Sequence, residues 1–205
     1  MSRPPTLILA STSRYRRELL ERLRIPFEVE APEVDETPHP GEAPAALAQR
    51  LALAKAEAVA ARHPDAVVIG SDQVADLDGV PIGKPGTHAR AVVQLRSMRG
   101  RSVVFQTAVS VVCAARQYAA SALVPVTVRF RSVSDDEIEH YLRTEQPYDC
   151  AGSAKCETLG IVLLEAIESD DPTALIGLPL IRTSAMLRGA GIDPLRPWRA
   201  GATSA

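Results

Sequence analysis

The chain has 205 residues, 46% of them apolar and 23% charged, with a formal net charge of −2. That is enough chain for one well-buried core, with nothing in the composition to mark a second domain, and near-neutral charge gives no general attraction to nucleic acid or an anionic membrane. No apolar run approaches the roughly 18 residues of a spanning helix. Cys113, Cys150 and Cys156 are odd in number and lack zinc-ligand spacing, which disfavours a disulfide framework or structural zinc and points to a reducing cytoplasm.

The run Leu7 to Ala10 predicts a strand, followed by a helix that opens near Ser13 and continues through Leu19, Leu20 and Leu23. Between them, Ser11, Ser13, Arg14, Arg16 and Arg17 place hydroxyls and guanidinium groups beside the unpaired N–H groups of a helix start. That arrangement suits a phosphate. The same segment also reads as a serine cap followed by a solvated arginine face.

Phe27 to Glu30 is a candidate short strand, and Ala31 to Pro38 reads as an acidic, proline-bounded loop. A long helix is expected from Ala45 to Arg62, with Lys55 near its middle, stopped by Pro64. Ala66 to Gly70 reads as a strand buried on both faces, with Ser71, Asp72 and Gln73 at its carboxyl end. Asp78-Gly79 is a hairpin-turn signal, Gly83-Lys84-Pro85 follows, and a helix capped by Thr87 is expected to reach Met98. Val103 to Cys113 and Leu123 to Phe130 predict an antiparallel pair joined near Arg116 and Gln117. Ser134 to Glu137 has capping-box spacing for a helix to about Arg143. A strand at Ile161 to Leu164, a helix from Leu180 to Arg188 and a disordered tail from Arg196 to Ala205 complete the expectation, a single domain with its core at about residues 6–195.

Asp72 at a strand exit is placed to hold a divalent metal or to take a proton from water; a turn or capping aspartate is the rival reading. Glu33, Asp35 and Glu36 offer further carboxylates, each equally well read as a solvated loop charge. Lys84 in a constrained turn could neutralise phosphate oxygens, whereas Lys55 alone reads as an exposed helix residue. The spacing Gly79 to Lys84 is one residue short of a Walker A loop, and no Ser or Thr follows the lysine. The small-residue loop Cys150 to Gly160 would let a ligand approach the backbone; its Glu157 is either a surface charge or an acceptor for the N–H edge of a purine.

Taken together, Ser11, Ser13, Arg16, Arg17 and Glu18 to Leu20, then Gly70-Ser71-Asp72-Gln73, Gly83-Lys84-Pro85, Ala151-Gly152-Ser153 and Leu175 to Pro179, resemble the Maf family of nucleoside triphosphate pyrophosphatases. Five motifs in order over nearly the whole chain make the resemblance specific. It implies a mixed α/β fold similar to the inosine triphosphate pyrophosphatases, with an elongated curved sheet flanked by helices and two lobes around a central cleft. It further implies hydrolysis between the α and β phosphates with a divalent cation, magnesium or manganese, a small-molecule nucleotide as substrate and room for a homodimer. Asp72 would be catalytic base or metal ligand, with Asp35 as the second acidic group of the metal site. Arg16, Lys55 and Lys84 would stabilise phosphate charge, and Ser11 would fix the phosphate chain.

Tyr15, Gln73 and Glu157 match the specificity positions of the branch acting on 7-methyl-GTP rather than the one acting on dTTP and UTP. A 7-methylated guanine is cationic, so it suits the face of Tyr15, and its N1–H and N2–H₂ edge suits Glu157. Arg14 stands where the family usually has proline, Ala154 where the branch commonly has an aromatic, and Cys156 where it commonly has serine. Two rivals remain at this level, a nucleotide sensor without turnover and an RNA- or DNA-binding module using the arginines. The balanced charge and 4% aromatic content weigh against the second.

Overall fold

The computed structural model describes residues 5–196. Seven strands form one sheet, β1 (Leu7–Ala10), β2 (Glu28–Glu30), β3 (Val67–Leu77), β4 (Val80–Ile82), β5 (Ser102–Cys113), β6 (Tyr118–Phe130) and β7 (Leu164–Glu168). Among the described residues five α-helices flank it, α1 (Arg14–Glu21), α2 (Pro44–Ala60), α3 (His88–Met98), α4 (Asp135–Glu145) and α5 (Leu180–Gly189). The spatial order is β2-β1-β3-β5-β6-β7, with β1 parallel to both β2 and β3 and every other pair antiparallel. This is the mixed α/β architecture expected. Of the expected tail, residues 197–205 lie outside the described residues.

The near-continuous apolar character of β1 and the start of β3 has a direct cause, since both faces are covered. Leu7, Leu9, Val67 and Ile69 pack with Leu19, Leu20 and Leu187 beneath α1 and α5, whereas Ile8, Ala10 and Val68 meet Ala56 and Val59 of α2. Further along the sheet, Ala75, Leu77, Phe105 and Val126 build a separate core with α3 and α4. The two ends of the long strands thus carry different cores.

Three expectations are corrected. The strand predicted to stop at Gly70 runs on to Leu77, so Ser71, Asp72 and Gln73 lie inside β3. Its antiparallel partner β5 continues the ladder from Val68 to Asp76 and holds those residues extended. Residues Leu159–Leu163 form a 3-10 turn instead of the expected strand, which starts only at Leu164. There the chain folds tightly upon itself, for a Cβ on Gly160 would come within 2.4 Å of the Lys155 carbonyl oxygen. Finally, β6 begins at Tyr118, because the pairing with β5 extends to Cys113.

The placement of β3's neighbours makes room for a site. On one edge β3 pairs with β1 over Val67 to Gly70 and with β4 over Ala75 to Leu77, leaving residues 71–74 without a strand partner on that edge. β5 covers the opposite edge throughout. Asp72 therefore sits in a gap of the sheet, flanked by the exit of β1 and held rigid from behind.

Candidate active site

A cleft of about 870 Å³ opens at this gap. Its walls come from the β1–α1 turn, the loop at 31–38, α2, β3, the segment after β4 and the loops around 149–157 and 175–177. The volume is in the range of small-molecule sites.

Helix α2 brings Lys55 to Asp72 because small residues let the helix lie on the strand. A Cβ on Gly70 would come within 2.2 Å of the Ala52 carbonyl oxygen and 2.6 Å of the Ala56 nitrogen, so only glycine fits. Gly70, Asp72 and Val74 share a face of β3 by strand alternation, and Val74 packs with Leu47 and Leu51 of the same helix. Lys55 Nζ lies 2.7 Å from Asp72 Oδ1 and 2.7 Å from Glu36 Oε1, with Lys55 and Asp72 both buried. Lys55 is thus no solvated helix residue.

Of the three loop carboxylates, Glu33 and Glu36 line the cleft and Asp35 does not. Asp35 turns back to its own loop, accepting from the Thr37 backbone N–H at 2.9 Å, and does not line the cleft. Neighbouring residues in an extended loop point to opposite sides, and sequence alone does not say which side faces the site. The loop is fastened by Arg50, which the sequence reading did not single out. Arg50 donates to both carboxylate oxygens of Glu42, at 2.6 and 2.7 Å, and to the Thr37 carbonyl at 3.1 Å. Partial burial would raise the Glu36 pKa, but the Lys55 hydrogen bond and charge, helped by Lys84 and Arg16, hold it below the usual value.

On the other face of β3, Ser71 and Gln73 reach the loop at 174–177. The Ser71 hydroxyl lies 2.9 Å from the Gly177 carbonyl, which also accepts from Arg16 Nε at 3.0 Å. One edge of the Arg16 guanidinium is consumed in this way, leaving its terminal nitrogens for a ligand. Burial lowers the Arg16 pKa, opposed by Asp72 and Glu36, yet a guanidinium stays charged in any protein. Gln73 Nε2 is surrounded by Thr107 Oγ1, Ala174 O and Leu175 O at 2.9, 3.0 and 2.9 Å. Two of those atoms can only accept, which fixes the amide nitrogen towards them and leaves Oε1 as the uncommitted acceptor.

Ser13 caps α1, accepting from the Arg16 backbone N–H at 3.4 Å, and buried Ser11 accepts from the Ser13 N–H at 3.1 Å. The serine cap is thus present as expected, and the same segment lines the cleft. Arg17 points elsewhere and pairs with Glu21. Lys84 is exposed on the cleft wall.

The far end of the cleft contains Tyr15, Asp149, Cys150 and Glu157. The Tyr15 hydroxyl donates to the Asp149 carboxylate at 3.2 Å, and Arg14 lies over the ring with its guanidinium carbon 4.7 Å from the centroid. Burial holds the Tyr15 phenol well above its ordinary pKa, so the ring is neutral. Burial also pushes the Cys150 thiol up to about 11 and the Cys156 thiol to about 12, which disfavours the thiolate of each at neutral pH. Asp149 carried no recognisable sequence signal; proximity to Tyr15 across 134 positions is a property of the fold.

Among the described residues no three His, Cys, Asp or Glu side chains cluster as a metal site, and no helix is long and apolar enough to cross a membrane. The cleft wall carries the cations Arg14, Arg16, Lys55 and Lys84 against the carboxylates Glu33, Glu36, Asp72, Asp149 and Glu157. Protein charge alone does not neutralise a bound triphosphate. Asp72 and Glu36, each 2.7 Å from the Lys55 ammonium through one oxygen, retain a second oxygen apiece and so fit the usual magnesium arrangement of one or two carboxylates completed by waters and substrate phosphates.

Residues 6–190 match the family described as Maf-like protein, and the chain belongs to that family. Among its relatives, the 7-methyl-GTP pyrophosphatase of Polaromonas sp. (strain JS666 / ATCC BAA-500) is 68% identical over 93% of this chain and 86% of its own length. The proteins of the same description from Albidiferax ferrireducens and Bordetella pertussis are 66% and 60% identical, covering 92% and 94% of this chain and 95% and 96% of their own lengths.

Proposed function

We propose that this protein hydrolyses the bond between the α and β phosphates of a nucleoside triphosphate, releasing a monophosphate and pyrophosphate, with 7-methyl-GTP as its preferred substrate. The meeting of Asp72 and Glu36 on the Lys55 ammonium, in one cleft with Tyr15 and Glu157, carries this reading. The relatives described as 7-methyl-GTP pyrophosphatases, 60–68% identical to this chain, support it.

In this reading Asp72 orients a water and takes its proton as the water oxygen bonds to the reacting phosphorus, and pyrophosphate departs with the electrons of the broken bond. Arg16, Lys55 and Lys84 stabilise the charge that spreads over the phosphate oxygens and the leaving group. Ser11 fixes the phosphate chain. Asp72 and Glu36 would hold a magnesium or manganese ion, which supplies charge neutralisation when bound. The base lies against Tyr15, with Glu157 accepting from the guanine N1–H and N2–H₂ and Gln73 Oε1 offering a further acceptor. The free thiols of Cys113, Cys150 and Cys156 fit a reducing compartment such as the cytoplasm.

A panel of canonical and methylated triphosphates, with magnesium or manganese and pyrophosphate detection, tests the proposal. Preference for dTTP or UTP overturns the choice of substrate. No turnover of any triphosphate overturns the enzyme, and tight binding without turnover leaves a sensor.

A further inference from the structure

The residue left without a role is Arg14. Its guanidinium lies 4.7 Å from the Tyr15 ring centroid, within the range of a cation–π contact, and its Nη2 donates to the Tyr15 hydroxyl at 2.7 Å. The same Nη2 stands 3.8 Å from Asp149 Oδ2, and all three residues line the cleft. Lys155 Nζ is also near the ring, at 6.0 Å from the centroid, but it is buried and paired with Glu145 at 3.4 Å. Arg14, by contrast, has a side chain that is 62% exposed.

A cationic base and a guanidinium seek the same feature of Tyr15, the negative face of its ring, and two cations sharing one ring repel each other. We infer that Arg14 is an internal competitor for the base site: its guanidinium occupies Tyr15 in the free protein, and an entering base displaces it onto Asp149. This rests on the reading that the base lies against Tyr15. Asp149 is then the receiving group for the displaced cation and has a function beyond holding the tyrosine hydroxyl. Because the displacement must be made before the base can bind, Arg14 weakens binding and leaves the groups around Asp72 untouched.

The test is a double-mutant cycle with Arg14→Ala and Asp149→Asn, read by direct calorimetric binding of 7-methyl-GMP and by KM for 7-methyl-GTP. Arg14→Ala is expected to tighten 7-methyl-GMP binding by about two- to fivefold, the size of an exposed cation–π contact, and to lower KM rather than change kcat. Asp149→Asn weakens binding in the wild-type background and does so less once Arg14 is gone. Weaker or unchanged binding in Arg14→Ala overturns the inference, as does an equal effect of Asp149→Asn in both backgrounds, or no binding of 7-methyl-GMP by either protein. Tighter binding in Arg14→Ala without turnover of any triphosphate would uphold the competitor while removing the proposed activity.

Discussion

Lys55 Nζ holds Asp72 Oδ1 at 2.7 Å in the gap that β1 and β4 leave along β3, and the same ammonium holds Glu36 at 2.7 Å. One buried cation thus organises two carboxylates from parts of the chain 36 positions apart.

Asp72→Asn removes the acceptor for the water proton while preserving shape. Pyrophosphate release should fall by about 10²- to 10⁴-fold, the usual contribution of a general base, while calorimetric binding of 7-methyl-GMP persists. Glu36→Gln should also lower kcat, whereas Asp35→Asn, which faces the loop and not the cleft, should change it less than about twofold. Equal losses from Glu36→Gln and Asp35→Asn would contradict the assignment of Glu36.

Gly70→Ala places a methyl group within 2.2 Å of the Ala52 carbonyl, and backbone cannot yield as a flexible side chain can. Either α2 lifts from β3 or the fold loses about 3 kcal/mol or more, with a fall in melting temperature on the order of 10 °C. Where the variant remains folded, the displaced helix should carry Lys55 away from Asp72 and lower kcat as well. Thermal unfolding and steady-state kinetics on the same preparation check both.

Glu157→Gln exchanges an ionised acceptor for an amide that both donates and accepts. The kcat/KM for guanine nucleotides should fall by about 10- to 100-fold, the scale of a hydrogen bond to a charged group, with little change for pyrimidine triphosphates. A uniform loss across all bases would place Glu157 with the phosphates instead.

The Arg50 hydrogen bonds, followed by that from the His39 backbone, depress the Glu42 pKa from 4.5 to about 2. A carboxyl whose folded value lies below its unfolded value stabilises the fold above pH 4.5, and this contribution is lost as pH falls from 4.5 towards 2. Arg50→Met should therefore flatten the stability profile in that window, measured by denaturant unfolding at successive pH values. It should also raise KM at neutral pH, because the loop carrying Glu36 loses its fastening.

Much of the architecture was legible because local rules and the fold agree. The capping box at Ser134, the cap at Thr87 and the doubly buried start of β3 all form as their residues predict. The extension of β3 through Asp72 was not legible. Ser71, Asp72 and Gln73 have poor strand propensity, and only the β5 ladder keeps them extended. The 3-10 turn at Leu159–Leu163 was hidden for the converse reason, since Ile161 to Leu164 reads as a strand until a tight backbone contact prevents it.

The sequence by itself determined which chemical groups are available: an aspartate just beyond a buried apolar run, cations at Arg16, Lys55 and Lys84, an aromatic at Tyr15 and an acceptor at Glu157. Side-chain chemistry is local, so order and spacing were enough to recognise the set. Tertiary structure alone decided which members meet, choosing Glu36 over Asp35, turning Lys55 into a buried bridge and laying Arg14 across Tyr15. Those outcomes depend on a helix pressed against Gly70 and a loop fastened by Arg50, contacts between distant parts of the chain that no local pattern encodes.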